Sequence, residues 1–87
     1  MIAFEDVQGL CGLTREEIDA IAEHEHIPDV SAAALGDYLL HRARGACVIR
    51  DMIRDDIRAA IRSGNAAHAR QLIAAFKHFL RDHPEAT

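Results

Sequence analysis

The chain has 87 residues, which is enough for one domain and too short for two. Apolar residues make up 49% and charged residues 28%, a balance that is typical of globular proteins and excludes a chain that stays disordered. The net charge of −4 and the low aromatic content argue against nucleic-acid binding, and no apolar run approaches the roughly 20 residues that span a bilayer.

Charge is distributed unevenly along the chain. Residues 1–41 carry nine acidic side chains and one basic one, whereas residues 42–87 carry nine basic and five acidic ones. The two parts are expected to attract each other within one folded chain, or across two copies of it.

The two cysteines and the first residues indicate a compartment. Cys11 and Cys47 are too few for a disulfide framework and are typical of thiols in a reducing cytosol. The start, MIAFEDVQ, lacks the basic and apolar regions of a signal peptide. We therefore expect a cytoplasmic protein.

The first predicted helix covers residues 14–26, after a short helical segment within 1–13 that would cover one end of the core. Thr14 and Glu17 have the spacing of a capping box, in which each side chain reaches the other's backbone N–H. Pro28 pushes the residue before it out of the helical region, so the helix has to end near this point.

Three more helices follow, and no segment alternates in the manner of a strand. We predict that the second helix ends before Gly45. The alternative is that the second and third helices form one long helix, in which an internal glycine costs about 1 kcal/mol relative to alanine. A Ser-Gly-Asn turn then separates the last two helices. The expected fold is all-α: a small four-helix bundle forming a single domain, 1–87, with helices at about 14–26, 29–43, 46–62 and 65–82.

The string AEHEHIP at residues 22–28 is the most suggestive one in the chain. At 100° per residue, Glu25 shares a stripe with Ile18 and Ile21 and is expected to point toward the core. A buried carboxylate has to be paired or protonated, so such a position favours a functional or strained site. The alternative is that Glu25 reaches solvent at the end of the helix. Among the other histidines, His78 is expected to face solvent.

Glu23 and His26 have the Glu-x-x-His spacing that places a carboxylate beside an imidazole. Ferritin-like bundles bind iron through two such pairs with further glutamates, whereas this chain has one pair, away from the apolar stripe. A two-fold dimer could bring two copies together. The metal prediction is therefore a zinc or iron site at a dimer interface, with Glu23, Glu25 and His26 as ligands.

The third predicted helix carries an arginine every four residues. This arginine ridge could contact an anionic ligand, a nucleic acid or the acidic part of a second copy. Interleaved aspartates predict the pairs Asp51–Arg54 and Asp55–Arg58, which would neutralise part of the ridge. The ridge consists of Arg50, Arg54, Arg58 and Arg62.

Three strings along the chain resemble those of a group of short, uncharacterised bacterial helical proteins. The strings are AIAEHEHIP at 20–28, MIRDDI at 52–57 and HFLRDHP at 78–84. The resemblance covers nearly the whole chain and implies a turn at 42–46. It implies no activity or cofactor, because none is attached to the group, and no functional residue is carried over.

The sequence contains no recognisable catalytic motif or phosphate-binding glycine loop. The functional prediction is therefore a small cytosolic, non-catalytic binding or regulatory module whose partner is a second copy or another protein. The alternatives are the dimer-interface metal site and anion binding through the arginine ridge.

Overall fold

The computed structural model describes residues 12–87, and it confirms the prediction of an all-α, four-helix bundle. A short 3-10 turn follows the last helix, and residues 12–87 contain no strand. No helix in this part of the chain combines the length and apolar character needed to cross a membrane. The elements are α1 at Arg15–Glu25, α2 at Asp29–Leu40, α3 at Gly45–Arg62, α4 at Ala66–Asp82 and the 3-10 turn at Pro84–Ala86.

The capping box at the start of α1 forms as predicted. The Glu17 backbone N–H donates to Thr14 Oγ1 at 3.2 Å, and the Thr14 N–H donates to Glu17 Oε1 at 2.9 Å. At the other end, His26 adopts the left-handed conformation, with φ of 57°, and its N–H donates to the Ala22 carbonyl. Pro28 then precedes the first residue of α2, so the chain turns sharply between the two helices.

The predicted break between α2 and α3 is confirmed, although α2 ends at Leu40 rather than 43. The amides of His41 and Arg42 bond the carbonyls of Tyr38 and Leu39, which tightens the last turn and leaves residue 43 exposed. Gly45 is required here for steric reasons, because a Cβ at this position would overlap the Leu39 carbonyl.

The core lies where α1, α3 and α4 meet, and α2 packs against α1 and α3. Gly36 of α2 lies so close to Leu13 that a Cβ at this position would overlap the leucine side chain. The absence of a side chain at Gly36 therefore lets α2 pack closely against the core. Ile61 is 62% exposed, because it lies on the outer side of the last turn of α3. The largest fully buried apolar side chains are Ile18, Ile21, Ile49, Ile53 and Phe79.

The predicted helical segment within residues 1–13 lies almost entirely outside the described part of the chain. Of that segment, only Gly12 and Leu13 are described, and Leu13 is buried in the core.

His26 provides a test of the chain reversal after α1. It is exposed and adopts a left-handed backbone conformation that glycine adopts without steric penalty. We expect His26→Gly to increase the free energy of unfolding by about 1 kcal/mol and the melting temperature by about 4 to 8 °C.

His41 provides the matched control, because it is another exposed histidine at a helix end, with φ of −91°. His41→Gly is expected to be destabilising, since glycine gains freedom in the unfolded chain and the hydrogen bond from His41 Nδ1 to the Asp37 carbonyl is lost. A loss of stability in His26→Gly, measured by thermal or urea unfolding, would show that the imidazole does more than end the helix.

Candidate functional site

Acidic side chains of α1 meet histidines of α4, and a histidine of α1 meets aspartates of α3, along the length of the bundle. Glu17 lies about two helical turns before the neighbouring residues Glu23 and His24, and the partners of all three come from elements far away in sequence. We call this cluster the acid–histidine seam. It consists of Glu17, Glu23, His24, Asp55, Asp56, His68 and His78.

Glu17 and His78 join the start of α1 to α4. His78 Nδ1 lies 2.9 Å from Glu17 Oε2, and because a carboxylate can only accept, this nitrogen carries the hydrogen. Asp82 Oδ2 lies 3.4 Å from the same nitrogen. The Glu17 side chain is only 1% exposed. The expectation that His78 faces solvent is therefore wrong, since the imidazole is half-buried against a core carboxylate.

Glu23 and His68 form the second connection between α1 and α4. His68 Nε2 lies 2.6 Å from Glu23 Oε1. This hydrogen bond, more than any other interaction, raises the pKa of His68 above its ordinary value. Glu23 therefore pairs with a histidine 45 residues away, rather than with its sequence neighbour His26.

His24 connects α1 to α3. Its Nδ1 lies 2.7 Å from Glu25 Oε2, and its Nε2 lies 3.4 Å from Asp55 Oδ2. Burial acts to lower the pKa of His24, but hydrogen bonds to Glu25 and Asp55 and the charge of Asp56 outweigh burial and raise it. The predicted pair Asp55–Arg58 is absent from the described residues, because the Asp55 carboxylate faces α1.

The prediction that Glu25 points into the core is wrong. Its side chain is 37% exposed and contacts His24. Its angle around α1 matches that of the core residues, but Glu25 is the last residue of the helix, where the chain turns away at His26. The acidic residues that do enter the core are Glu17 and Asp56, which are 1% and 6% exposed.

Asp56 is the one core carboxylate whose hydrogen bonding is incomplete. Its Oδ2 is buried and has no hydrogen-bond partner among residues 12–87. Glu23 and His24 of α1, Asp55 of α3 and His68 of α4 all act on it electrostatically. Burial, followed by the charge of Glu23, raises the pKa of Asp56 from 3.8 to about 6.

The three predicted metal ligands are not brought together within one chain. Glu23 pairs with His68, Glu25 pairs with His24, and His26 is exposed at the end of α1. Within the described range, no three His, Cys, Asp or Glu side chains are grouped closely enough to hold a metal ion. The predicted metal site at a dimer interface needs ligands from a second copy of the chain, and it therefore stays a prediction.

The predicted arginine ridge is divided in the structure. Arg50 donates through Nε to Asp51 and through Nη1 to the Ala86 carbonyl, so it fixes the end of the chain. The predicted pair Asp51–Arg54 forms at 2.7 Å, and the hydrogen bond from Arg50 lowers the pKa of Asp51. The other two ridge residues, Arg58 and Arg62, are exposed.

A shallow groove of about 490 Å³ runs between α1 and α4. Glu16, Asp19 and Glu23 line its α1 side, and His68 lies opposite. Burial, together with a hydrogen bond and the charge of Asp29, raises the pKa of Asp19 to about 6. The groove is acidic and passes over the Glu23–His68 pair, so it is part of the same electrostatic environment.

The seam combines two chemical properties. The carboxylate–imidazole contacts join α1 to the two helices that face it, and hydrogen bonds to charged groups contribute more than neutral ones. The seam also contains three titratable groups whose pKa values are raised: those of His24 and His68 above the ordinary histidine value, and that of Asp56 to about 6. The arrangement therefore supports helix packing that depends on pH.

Comparisons of this chain with protein-family models, with curated proteins and with solved structures found no match.

The pH dependence of stability follows from the raised pKa values. Because folded Asp56 and Asp19 bind their protons more tightly than the unfolded chain does, their stabilising contributions are complete below pH 3.8 and are lost as the pH rises through about 6. The contributions of His24 and His68 are present below the ordinary histidine pKa and are lost as the pH rises through the raised values. We expect urea unfolding to give a free energy of unfolding about 1 kcal/mol or more higher at about pH 5.5 than at about pH 8.

Asp56→Asn separates the contribution of this residue from the rest. The amide keeps the shape and removes the buried charge, so we expect the variant to be more stable than the wild type at about pH 8, by on the order of 1 kcal/mol, with a flatter pH profile. Asp51→Asn, on the same helix, is the control and should lower stability, because Arg50 and Arg54 lose an anionic partner. Equal changes in the free energy of unfolding for the two variants would show that the buried charge of Asp56 is not the source of the pH dependence.

Proposed function

We propose that this chain is a non-catalytic interaction module that acts as a homodimer, and that two copies pair through the outer face of α2. The observation that carries the proposal is the apolar character of α2 on both sides. Its inner side is buried through Ala32, Ala33 and Gly36. On its outer side, Val30 is 60% exposed and Tyr38 is 55% exposed.

The exposed apolar residues of α2 lie in one line. Val30, Ala34 and Tyr38 are spaced four residues apart, so they follow one another along the helix surface, and all three are exposed. We call this line the α2 stripe. A soluble helix normally places polar residues opposite its buried face, and an apolar line in that position is typical of a surface that another protein covers.

A second copy of the chain fits the α2 stripe in an antiparallel, two-fold arrangement. With Ala34 on the symmetry axis, Val30 of each copy faces Tyr38 of the other, and the small alanines let the helices approach closely. Charges also match, since Asp29 lies at the start of α2 and Arg42 follows its end. Antiparallel pairing brings each acidic end near a basic end and opposes the two helix dipoles.

The size of α2 limits the strength of this dimer. Twelve residues at 1.5 Å per residue give a helix about 18 Å long. Two such helices bury an area at the low end of specific interfaces, for which weak and reversible association is typical. We therefore expect a dimer that dissociates on dilution.

A binding role is also favoured by how the acid–histidine seam is built. His24, His68 and His78 each contact a carboxylate of another helix. Side chains that connect helices in this way stabilise helix packing. This structural role explains why histidines and acidic residues are found in the seam, so a catalytic role is not needed to explain them.

Ala34→Arg tests the dimer directly. It places a charge at the centre of the α2 stripe, so the two copies would bring like charges together, whereas in the monomer the side chain is solvated. Sedimentation velocity over a range of concentrations should show a monomer–dimer equilibrium for the wild type and a monomer for the variant. Ala59→Arg, at another exposed alanine, is the control and should dimerise as the wild type does.

Two results would contradict the proposal. A wild-type chain that stays monomeric at all concentrations would show that no second copy covers the α2 stripe. A dimer that Ala34→Arg leaves intact would place the interface elsewhere, with the stripe covered by other residues or by a different protein.

A further inference from the structure

A second cavity, of about 340 Å³, lies between the turn that joins α2 to α3 and the last residues of the chain. Three arginines line it, and Glu85 is the one acidic residue among the residues that form its wall. We propose that this cavity binds the phosphate group of a small phosphorylated molecule. The arginines are Arg42, Arg44 and Arg50.

Arg50 is the most fixed of the three arginines. It donates through Nε to Asp51 at 3.0 Å and through Nη1 to the Ala86 carbonyl at 2.5 Å, and its side chain is 25% exposed. A guanidinium group has five N–H donors, so these two bonds leave three for a ligand. Because its position is already held by protein contacts, binding to Arg50 loses little side-chain entropy.

Arg42 and Arg44 supply the remaining positive charge. The Arg42 guanidinium lies over the ring of Tyr38, 5.3 Å from its centre, and this cation–π contact restrains the side chain. Arg44 is exposed, and within the described residues it forms no ion pair. Both arginines lie in the tight turn before Gly45, and both line the cavity.

The charge and size of the cavity favour a phosphate ester. Because Arg50 is already paired with Asp51, Arg42 and Arg44 against Glu85 leave a small excess of positive charge, and a phosphate monoester carries about −1.5 to −2 at neutral pH. Arginine matches phosphate geometry through paired N–H donors. A cavity of about 340 Å³ exceeds what a single phosphate ion fills, and it falls in the range of small-molecule sites. The first turn of α3 also faces it and adds a favourable dipole, but the proposal rests on the three arginines.

This site differs from the predicted anion site on the arginine ridge. Arg54, Arg58 and Arg62 lie on an exposed helix surface, outside the wall of either cavity described above. Of the ridge, only Arg50 belongs to the cavity. The proposed site lies within one chain. Arg44 and Arg50 lie beyond the α2 stripe. Arg42, in contrast, contacts Tyr38 of that stripe, and it also lies near Asp29 of the other copy in the proposed dimer.

The test is an NMR titration of the amides of the ¹⁵N-labelled chain at constant ionic strength, with inorganic phosphate and with glycerol 3-phosphate as separate probes. We expect saturable shifts at residues 42–47, with half-saturation below about 10 mM for at least one probe. Tighter binding of glycerol 3-phosphate would identify a phosphate ester as the ligand class, and tighter binding of inorganic phosphate would identify the free ion. Shifts that stay linear with both probes would overturn the proposal.

Arg44→Gln is the matching variant, and Arg62→Gln is its control. Both substitutions remove one exposed arginine and the same charge from α3 or its border. We expect Arg44→Gln to weaken binding about tenfold, because a charge-assisted hydrogen bond is lost, and Arg62→Gln to leave it unchanged. If both substitutions weaken phosphate binding equally, the binding comes from the general positive charge of the surface, which would contradict a defined site in this cavity.

Discussion

One buried carboxylate, that of Glu17, organises the bundle. Its Oε1 accepts the Thr14 N–H and so fixes the start of α1, while its Oε2 accepts a hydrogen bond from His78 of α4. A carboxylate that is only 1% exposed is tolerated in a protein core when its oxygens are satisfied, and here each oxygen has a partner. The local signal that begins the first helix is therefore also the contact that positions the last one.

The remaining polar contacts of α1 extend this connection along the bundle. Glu23 holds His68 of α4 and His24 reaches Asp55 of α3, so both helices that face α1 are joined to it at its second half. Asp56 lies among these groups with one unpaired oxygen, which makes it the least satisfied part of the core. Because the seam fixes α1, and α2 packs on α1 and α3, the outer face of α2 and the turn at Gly45 are held in place. The proposed dimer surface and phosphate site both depend on that support.

Local signals allowed the helices to be predicted from the sequence, and long-range contacts explain most of what was missed. The capping box at Thr14 begins α1 and Pro28 separates α1 from α2 as expected, whereas Gly45, expected to follow the end of the second helix, is the first residue of α3. Helical periodicity placed Glu25 in the core, but periodicity gives an angle around the axis and does not show where neighbouring helices end. The partners of Glu17 and Glu23 lie 61 and 45 residues away, and no spacing rule in one sequence connects them. The sequence did contain a signal that Asp56 is buried, because this residue lies four positions from both Met52 and Ala60, on the apolar side of α3.

A double-mutant cycle between Glu17 and His78 tests whether the Glu17 carboxylate positions α4 as well as beginning α1. Glu17→Gln keeps the ability to complete the capping box and weakens the contact to the imidazole, while His78→Ala removes the partner. If the two side chains act as one structural unit, the coupling free energy from urea unfolding of the four proteins should be about 1 to 2 kcal/mol. A coupling within about 0.3 kcal/mol of zero would show that Glu17 begins α1 without positioning α4.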